Sequence, residues 1–443
     1  MGETHLLVLI HGMWGNAGHL AELDRVVVET IPGPSLHVLR AETNQEDGRE
    51  PSVTCAVDQL TEELQGHMTG LTGAASIADE IEKLKKEGRT VTRFSITGYS
   101  LGGLVARYVI GVLRQRGFFE NVAPVNFNTI ATPHIGLPRY PSFFSSVTSF
   151  LGPKLLSRTG EQFYCADKWS AKGRPLLEVM ADPDRIFYQA LAAFETIRIY
   201  ANTLNDVTVP YVTAAIEVED IFAQQATNGL EVEIDEQYAH LIKSYTLPPV
   251  PPPPAPKPTM LSPSWFKQTK PSRPFLPPFL QFRFPMNIVL YAALPFLIPV
   301  VISMVLVRLS LATRSSRARI KLLESDASSR EKLVYILAQL EHQVEGAVVE
   351  FIDDNAGTEP TKDPESARKP RCAPKPPSEQ PILTPTQRRI AAALNRLPLK
   401  KERAYFPHVR NSHAMIVCRD VKNFELHREG EGILRHWADS FVI

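Results

Sequence analysis

The stretch Gly98-Tyr99-Ser100-Leu101-Gly102 constrains this chain more than any other, because its flanks supply a strand, a tight turn and a helix. Residues 92–97 read as a short buried strand. Residues 101–113 repeat apolar side chains at helical spacing, with Arg107, Arg114 and Arg116 expected on a solvated face. A serine in such a turn sits in a strained backbone conformation. The residues two before and two after it must be small for strand and helix to pass closely. In that setting the pattern predicts a nucleophile elbow built on Ser100, Gly98 and Gly102. Without the flanking strand and helix, the same five letters would be an ordinary turn.

Charge and cysteine usage exclude several function classes. Lys+Arg and Asp+Glu both number 48 in the 443 residues, so no global field attracts nucleic acid, and none is expected as a partner. Cys55, Cys165, Cys372 and Cys418 are scattered without metal-ligand spacing, which suits a reduced compartment and predicts no metal. Residues 6–10 run straight into a turn at His11-Gly12 and are read as a first core strand, not a signal peptide.

Apolar runs of strand length at 6–10, 36–40, 94–97, 126–130 and 196–201 alternate with helical patterns. That alternation predicts a mostly parallel sheet with helices on both faces, over 1–245. Composition then changes abruptly. Residues 246–285 form a Pro-rich, semi-rigid linker. A hydrophobic membrane segment follows at 286–309, with Lys267, Lys270, Arg273 and Arg283 before it and Arg308, Arg314, Arg317, Arg319 and Lys321 at its far end. Residues 310–354 are charged and amphipathic, hence helical; 355–384 are polar and Pro-rich, a disordered linker. Folded-looking sequence returns over 385–443.

A serine hydroxyl is a poor nucleophile until an imidazole takes its proton, and that imidazole needs an orienting acid. In this kind of fold the chain order is serine, acid, histidine. Asp206, just past the strand at 196–201, is the preferred acid over Asp182 and Asp184, which flank a proline. As an alternative, Asp206 is simply a turn residue. His413, in a loop before an apolar run, is preferred over His408; His427 and His436 read as surface residues of a terminal helix. His134, between Pro133 and Gly136, reads as part of a structural turn. Asp206 and His413 lie 207 positions apart; removing 246–400, which is 155 residues, leaves an ordinary 52. The middle of the chain is therefore an insertion into one domain. For the oxyanion, the expected donors are the backbone N–H groups of Leu101 and Met13, the latter in the turn His11-Gly12-Met13-Trp14-Gly15.

Together, these motifs, with Ala131-Thr132-Pro133-His134-Ile135-Gly136, Asn205-Asp206, Val209-Pro210 and Ser412-His413, resemble the fungal and plant serine esterase (lipase) family of α/β hydrolases. The chain looks most like its fungal lipid-droplet phospholipase branch. The resemblance covers about 5–216 and 385–443. It implies an α/β-hydrolase fold interrupted by the Pro-rich linker and membrane segment, and hydrolysis of acyl esters in glycerolipids or phospholipids. It also implies the Ser100–Asp206–His413 assignment, no cofactor, and a lipid-droplet or cytosolic endoplasmic-reticulum surface. Residues 48–73 depart from the family pattern.

Ser100 and Asp206 precede the apolar segment and His413 follows it, so a single straight crossing would separate them. Pro295 and Pro299 interrupt that segment, and each arm is shorter than the ~20 residues of a span. A re-entrant hairpin is expected, with basic residues at both ends against headgroups on one side; the alternative is a true span with an earlier base such as His240. Residues 140–156, with Tyr140, Phe143, Phe144, Phe150 and Leu151, read either as a lid or as a capping helix pair. Two other functions remain compatible: an esterase of acylated proteins or lipid anchors, and a non-catalytic droplet-bound scaffold of the same fold.

Overall fold

Strand β1 (Gly2–Ile10) sends Leu6, Val8 and Ile10 into one apolar cluster and Leu7 and Leu9 into another, as the two-residue period of a strand demands. A sheet carrying such strands must be covered on both faces. The computed structural model describes residues 2–41 except 14, 66–249 except 156, 171 and 172, and 380–443, with 252, 300, 303 and 307 as isolated positions.

Six strands, all parallel, make the main sheet. They are β1, β2 (Leu36–Arg40), β3 (Arg89–Tyr99), β4 (Ala123–Ile130), β5 (Thr196–Asn202) and, after the short antiparallel pair β6 (Glu231–Ile234) and β7 (Ile242–Thr246), β8 (Leu399–Ala404). The order is β2-β1-β3-β4-β5-β8. Helices α1 (Ala21–Thr30), α2 (Gly66–Lys86), α3 (Leu101–Gln115), α4 (Phe143–Leu155), α5 (Ser157–Phe163), α6 (Leu176–Ala181), α7 (Ile186–Ala192), α8 (Pro385–Leu394) and α9 (Glu431–Asp439) join or flank these strands. The first cluster collects Ile77 of α2, the apolar side of α3, and residues of α6, α7 and α8; the second collects α1 and α9. This is an α/β-hydrolase architecture.

The chain goes outward from β1 to β2, then returns past β1 to β3 and continues to β4, β5 and β8. That reversal opens a crevice at the carboxyl ends of β1 and β3, where doubly wound sheets bind ligands. β8 joins the sheet directly beside β5, pairing Ile197 with Leu399 through Asn202 with Ala404. Residues 399–443 thus reach the same sheet edge as residues 200–206.

Several expectations need correction. Arg107 does not lie on a solvated face: it is 1% exposed, because the first turns of α3 are enclosed by the sheet, α2 and α7. Its guanidinium donates to the His134 carbonyl at 3.2 Å, and burial pushes its pKa down to about 10. Arg114 and Arg116 are exposed. His427 and His436 are half-buried, and the Nδ1 of His436 lies 3.0 Å from the Tyr200 hydroxyl. The folded body also begins before 385. Gln380 exchanges side-chain and backbone hydrogen bonds with Asp220, and Ile382 donates to the Arg139 carbonyl at 2.6 Å.

The apolar segment 286–309, apart from three isolated positions, lies outside the described residues, as do 310–354, most of the two linkers and the atypical stretch up to 65. Among the described residues, no helix is long and apolar enough to cross a membrane.

Candidate active site

The turn after β3 holds Ser100 at φ 56°, ψ −125°, a strained positive-φ conformation that non-glycine residues rarely adopt. The two glycines of the motif permit it. A side chain at Gly98 would meet the Gly102 carbonyl and Gly103 backbone at 2.5 Å, and one at Gly102 would strike the backbone of Ile10 and His11. The Ser100 N–H donates to the Ile130 carbonyl at 2.8 Å, which ties the turn to β4. Ser100 is 7% exposed.

The structure brings Ser100, His413 and Asp206 together. His413 Nε2 lies 3.0 Å from Ser100 Oγ, and His413 Nδ1 lies 2.9 Å from Asp206 Oδ2. A carboxylate only accepts, so Nδ1 carries the proton and Nε2 presents its lone pair to the hydroxyl. Asp206 is held from several sides. Asn202 Nδ2 donates to the same Oδ2 at 2.8 Å, while the backbone N–H groups of Thr208 and Val209 donate to Oδ1 at 3.0 and 2.8 Å. Asn205, at φ 61°, turns the chain between strand and acid, and its side chain donates to the Phe406 carbonyl at 2.9 Å.

The loop bearing His413 is laced to the loop bearing Asp206. Ser412 N–H donates to the Asn205 carbonyl at 2.9 Å, and its hydroxyl donates to the Leu204 carbonyl at 2.8 Å. His413 N–H reaches Asn411 Oδ1 at 3.2 Å. On the other side, the Tyr99 hydroxyl donates to the His413 carbonyl at 2.9 Å. Tyr99, Asn202, Asn205 and Ser412 went unassigned as supporting residues in the sequence. Their polar side chains next to the candidate residues were the available signal.

The expected oxyanion donors flank the serine. Leu101 is the first residue of α3, so its N–H has no acceptor within the helix. Met13 follows Gly12, whose backbone packs against Ser100, in a turn closed by a Gly15 N–H bond to the Gly12 carbonyl at 3.1 Å. His11 Nδ1 donates to that carbonyl too, at 3.0 Å, and burial lowers its pKa, keeping the ring neutral. Trp14 is outside the described residues.

The alternative bases and acids are committed elsewhere. His408 pairs with Glu429 at 2.6 Å. His240 donates to the Tyr405 carbonyl at 3.1 Å. His134 is buried, its Nε2 2.8 Å from the Thr129 hydroxyl, and burial depresses its pKa. Asp182 binds Arg174 at 2.7 Å. Of the stretch 140–156, Phe143–Leu155 form α4, with Phe150 64% exposed and Gly152 against the Tyr164 ring. Among the described residues, no cluster of His, Cys, Asp and Glu is arranged to hold a metal ion.

A buried serine, an imidazole within a hydrogen bond of it and a carboxylate behind that imidazole can perform nucleophilic acyl transfer. Residues 1–217 match the family described as "Putative serine esterase (DUF676)". Over that stretch, just under half of its length, this chain is similar to the members of that family. A Schizosaccharomyces pombe protein described as a putative lipase is 31% identical over 51% of this chain and 28% of its own length. The "Putative lipase ROG1" of Saccharomyces cerevisiae is 30% identical over 30% of this chain and 20% of its own. The matched part is therefore under a third of these relatives. Among solved structures, Est1E from Butyrivibrio proteoclasticus overlaps 48% of this chain and 72% of its own, at 15% identity and a TM-score of 0.23. The Xanthomonas oryzae cell-wall-degrading esterase LipA overlaps 48% and 69%, at 16% identity and a TM-score of 0.26. At those scores, the fold assignment rests on the sheet and the elbow.

Proposed function

We propose that this chain is a serine hydrolase that cleaves acyl esters of glycerolipids at a membrane or lipid-droplet surface. The observation that carries this reading is the pair of contacts at His413, 3.0 Å to Ser100 Oγ and 2.9 Å to Asp206 Oδ2. In this mechanism His413 removes the Ser100 proton as Oγ attacks the ester carbonyl carbon. The carbonyl oxygen gains negative charge and is met by the N–H groups of Met13 and Leu101. Collapse breaks the bond to the alcohol, which takes the proton from the imidazolium and leaves an acyl-serine. Water, deprotonated by the same imidazole, then releases the fatty acid. Asp206 keeps the ring oriented and stabilises its charged form.

The apolar composition of 286–309 and its cationic flanks support the lipid-surface part of this reading. Ser100 and His413 meet in one folded body, which supports a re-entrant hairpin with both flanks on the same side. The exposed Phe150 on α4 supports reading 140–156 as a lid over the acyl path. The test is labelling by a fluorophosphonate probe beside turnover of separate lipid classes, in wild type and Ser100→Ala. Labelling and ester release should both vanish in the variant; persistence of either refutes the nucleophile.

A further inference from the structure

We propose that Tyr99 is a positioning residue that sets the distance between the base His413 and the nucleophile Ser100, an inference resting on the serine-hydrolase reading above. His413 reaches the site on a loop that returns after the long insertion, so something must register that loop against the strand carrying the serine. The bonds through Ser412 end on Leu204 and Asn205, in the loop of Asp206. They fix the histidine relative to its acid, not relative to the serine. The Tyr99 hydroxyl, donating to the His413 carbonyl at 2.9 Å, makes the missing connection. Tyr99 is the last residue of β3 and covalently adjacent to Ser100, so a constraint on its ring is a constraint measured from the nucleophile.

The surroundings make Tyr99 stiff. It is 3% exposed, it pairs with Ile130 of β4, and its ring lies 5.1 Å from the imidazole at 33°. The Arg419 charge acts on the phenol from nearby, and the hydroxyl's bond is to the His413 carbonyl. Burial pushes the phenol's pKa far above its ordinary value, so it remains a donor throughout the working range. The Arg419 backbone N–H donates to the Ala414 carbonyl at 3.0 Å, which holds its main chain to the residue after His413. The result is a buried tie from the end of β3 through Tyr99 to the backbone of His413. Misplacing a catalytic group by about 1 Å can cost on the order of 10²-fold in rate, so a bond of this kind has kinetic weight.

The test compares wild type, Tyr99→Phe, Arg419→Met and Ser100→Ala, using a soluble short-chain p-nitrophenyl ester and a fluorophosphonate probe. Tyr99→Phe keeps the ring and removes the hydroxyl. Its kcat should fall about tenfold with KM within about twofold, and the labelling rate should fall in step. Because the ties to the acid loop survive, the low-field proton NMR signal of the His413–Asp206 bond should persist. Arg419→Met should move kcat and labelling in the same direction by a smaller factor, and it carries the test if Tyr99→Phe does not fold. Unchanged kcat and labelling in a folded variant would overturn the proposal. So would loss of the low-field proton together with the rate, since that would mark general disruption of the loop. A wild type that takes no label would overturn the hydrolase reading, and this proposal with it.

Discussion

The backbone of Gly12 lies against Ser100 so closely that a methyl group on Gly12 would stand 2.7 Å from the Ser100 Cβ and 3.3 Å from its Oγ. The same methyl would lie 3.1 Å from the Tyr99 carbonyl. Neither obstacle can move cheaply, since one is the candidate nucleophile and the other is sheet backbone. Gly12→Ala should therefore keep the fold and lose about 10²-fold or more in kcat/KM, by displacing the serine and the neighbouring Met13 N–H. Circular dichroism and ester hydrolysis on the same preparation check this.

Asn202 and His413 share one oxygen of Asp206, at 2.8 and 2.9 Å. Asn202→Leu should let the carboxylate rotate about its remaining backbone donors and lower kcat by about three- to tenfold, with KM little changed. Asp206→Asn should cost far more, about 10³- to 10⁴-fold, because the amide favours the wrong imidazole tautomer. Equal losses in the two variants would show that Asn202 does more than orient the acid.

The returning chain is anchored by a capping box on α8. Gln387 N–H donates to the Thr384 hydroxyl at 3.2 Å, and Thr384 N–H donates to Gln387 Oε1 at 2.9 Å. Thr384→Ala should lower unfolding free energy by about 1 kcal/mol. Gln387→Ala should cost more, because that buried side chain also donates to the Leu137 carbonyl at 3.1 Å. Urea denaturation followed by fluorescence measures both, and kcat should be nearly unchanged in each.

His5, within β1, places its Nε2 2.7 Å from the Ser95 hydroxyl. Burial, with a smaller contribution from Arg93, lowers its pKa from 6.5 to about 4. The fold therefore favours the neutral ring. Its contribution to stability is complete above pH 6.5 and is lost as the pH falls towards 4. The full loss is on the order of 3 kcal/mol at about 1.4 kcal/mol per pH unit. His5→Gln should flatten the fall in denaturation midpoint across that window; an unchanged slope would mean that other groups carry it.

Much of the architecture was legible because it is written in local periodicity. The strands at 36–40, 126–130 and 196–201 all lie within observed strands, and the helix after Ser100 starts where the motif places it. Alternation and helical spacing report which side of an element is apolar, so they carry the fold class. They do not report how many sides are covered. Arg107 was misjudged for that reason: a cation at a polar phase of a helix looks solvated until α2, α7 and the sheet enclose it.

The residue types and order of the candidate site could be read from the chain, since a strained serine turn demands glycines and a late histidine must follow the acid. The apolar run after His413 favoured it over His408, but only folding turns the one to Ser100 and the other to Glu429. The contact of Tyr99 with His413, 314 positions away, was invisible. Sequence by itself determined the elements and their apolar faces, because those depend on neighbours a few residues distant. Tertiary structure decided the meeting of β5 with β8 and of one loop with another, because hydrogen bonds act over about 3 Å of space whatever the separation along the chain.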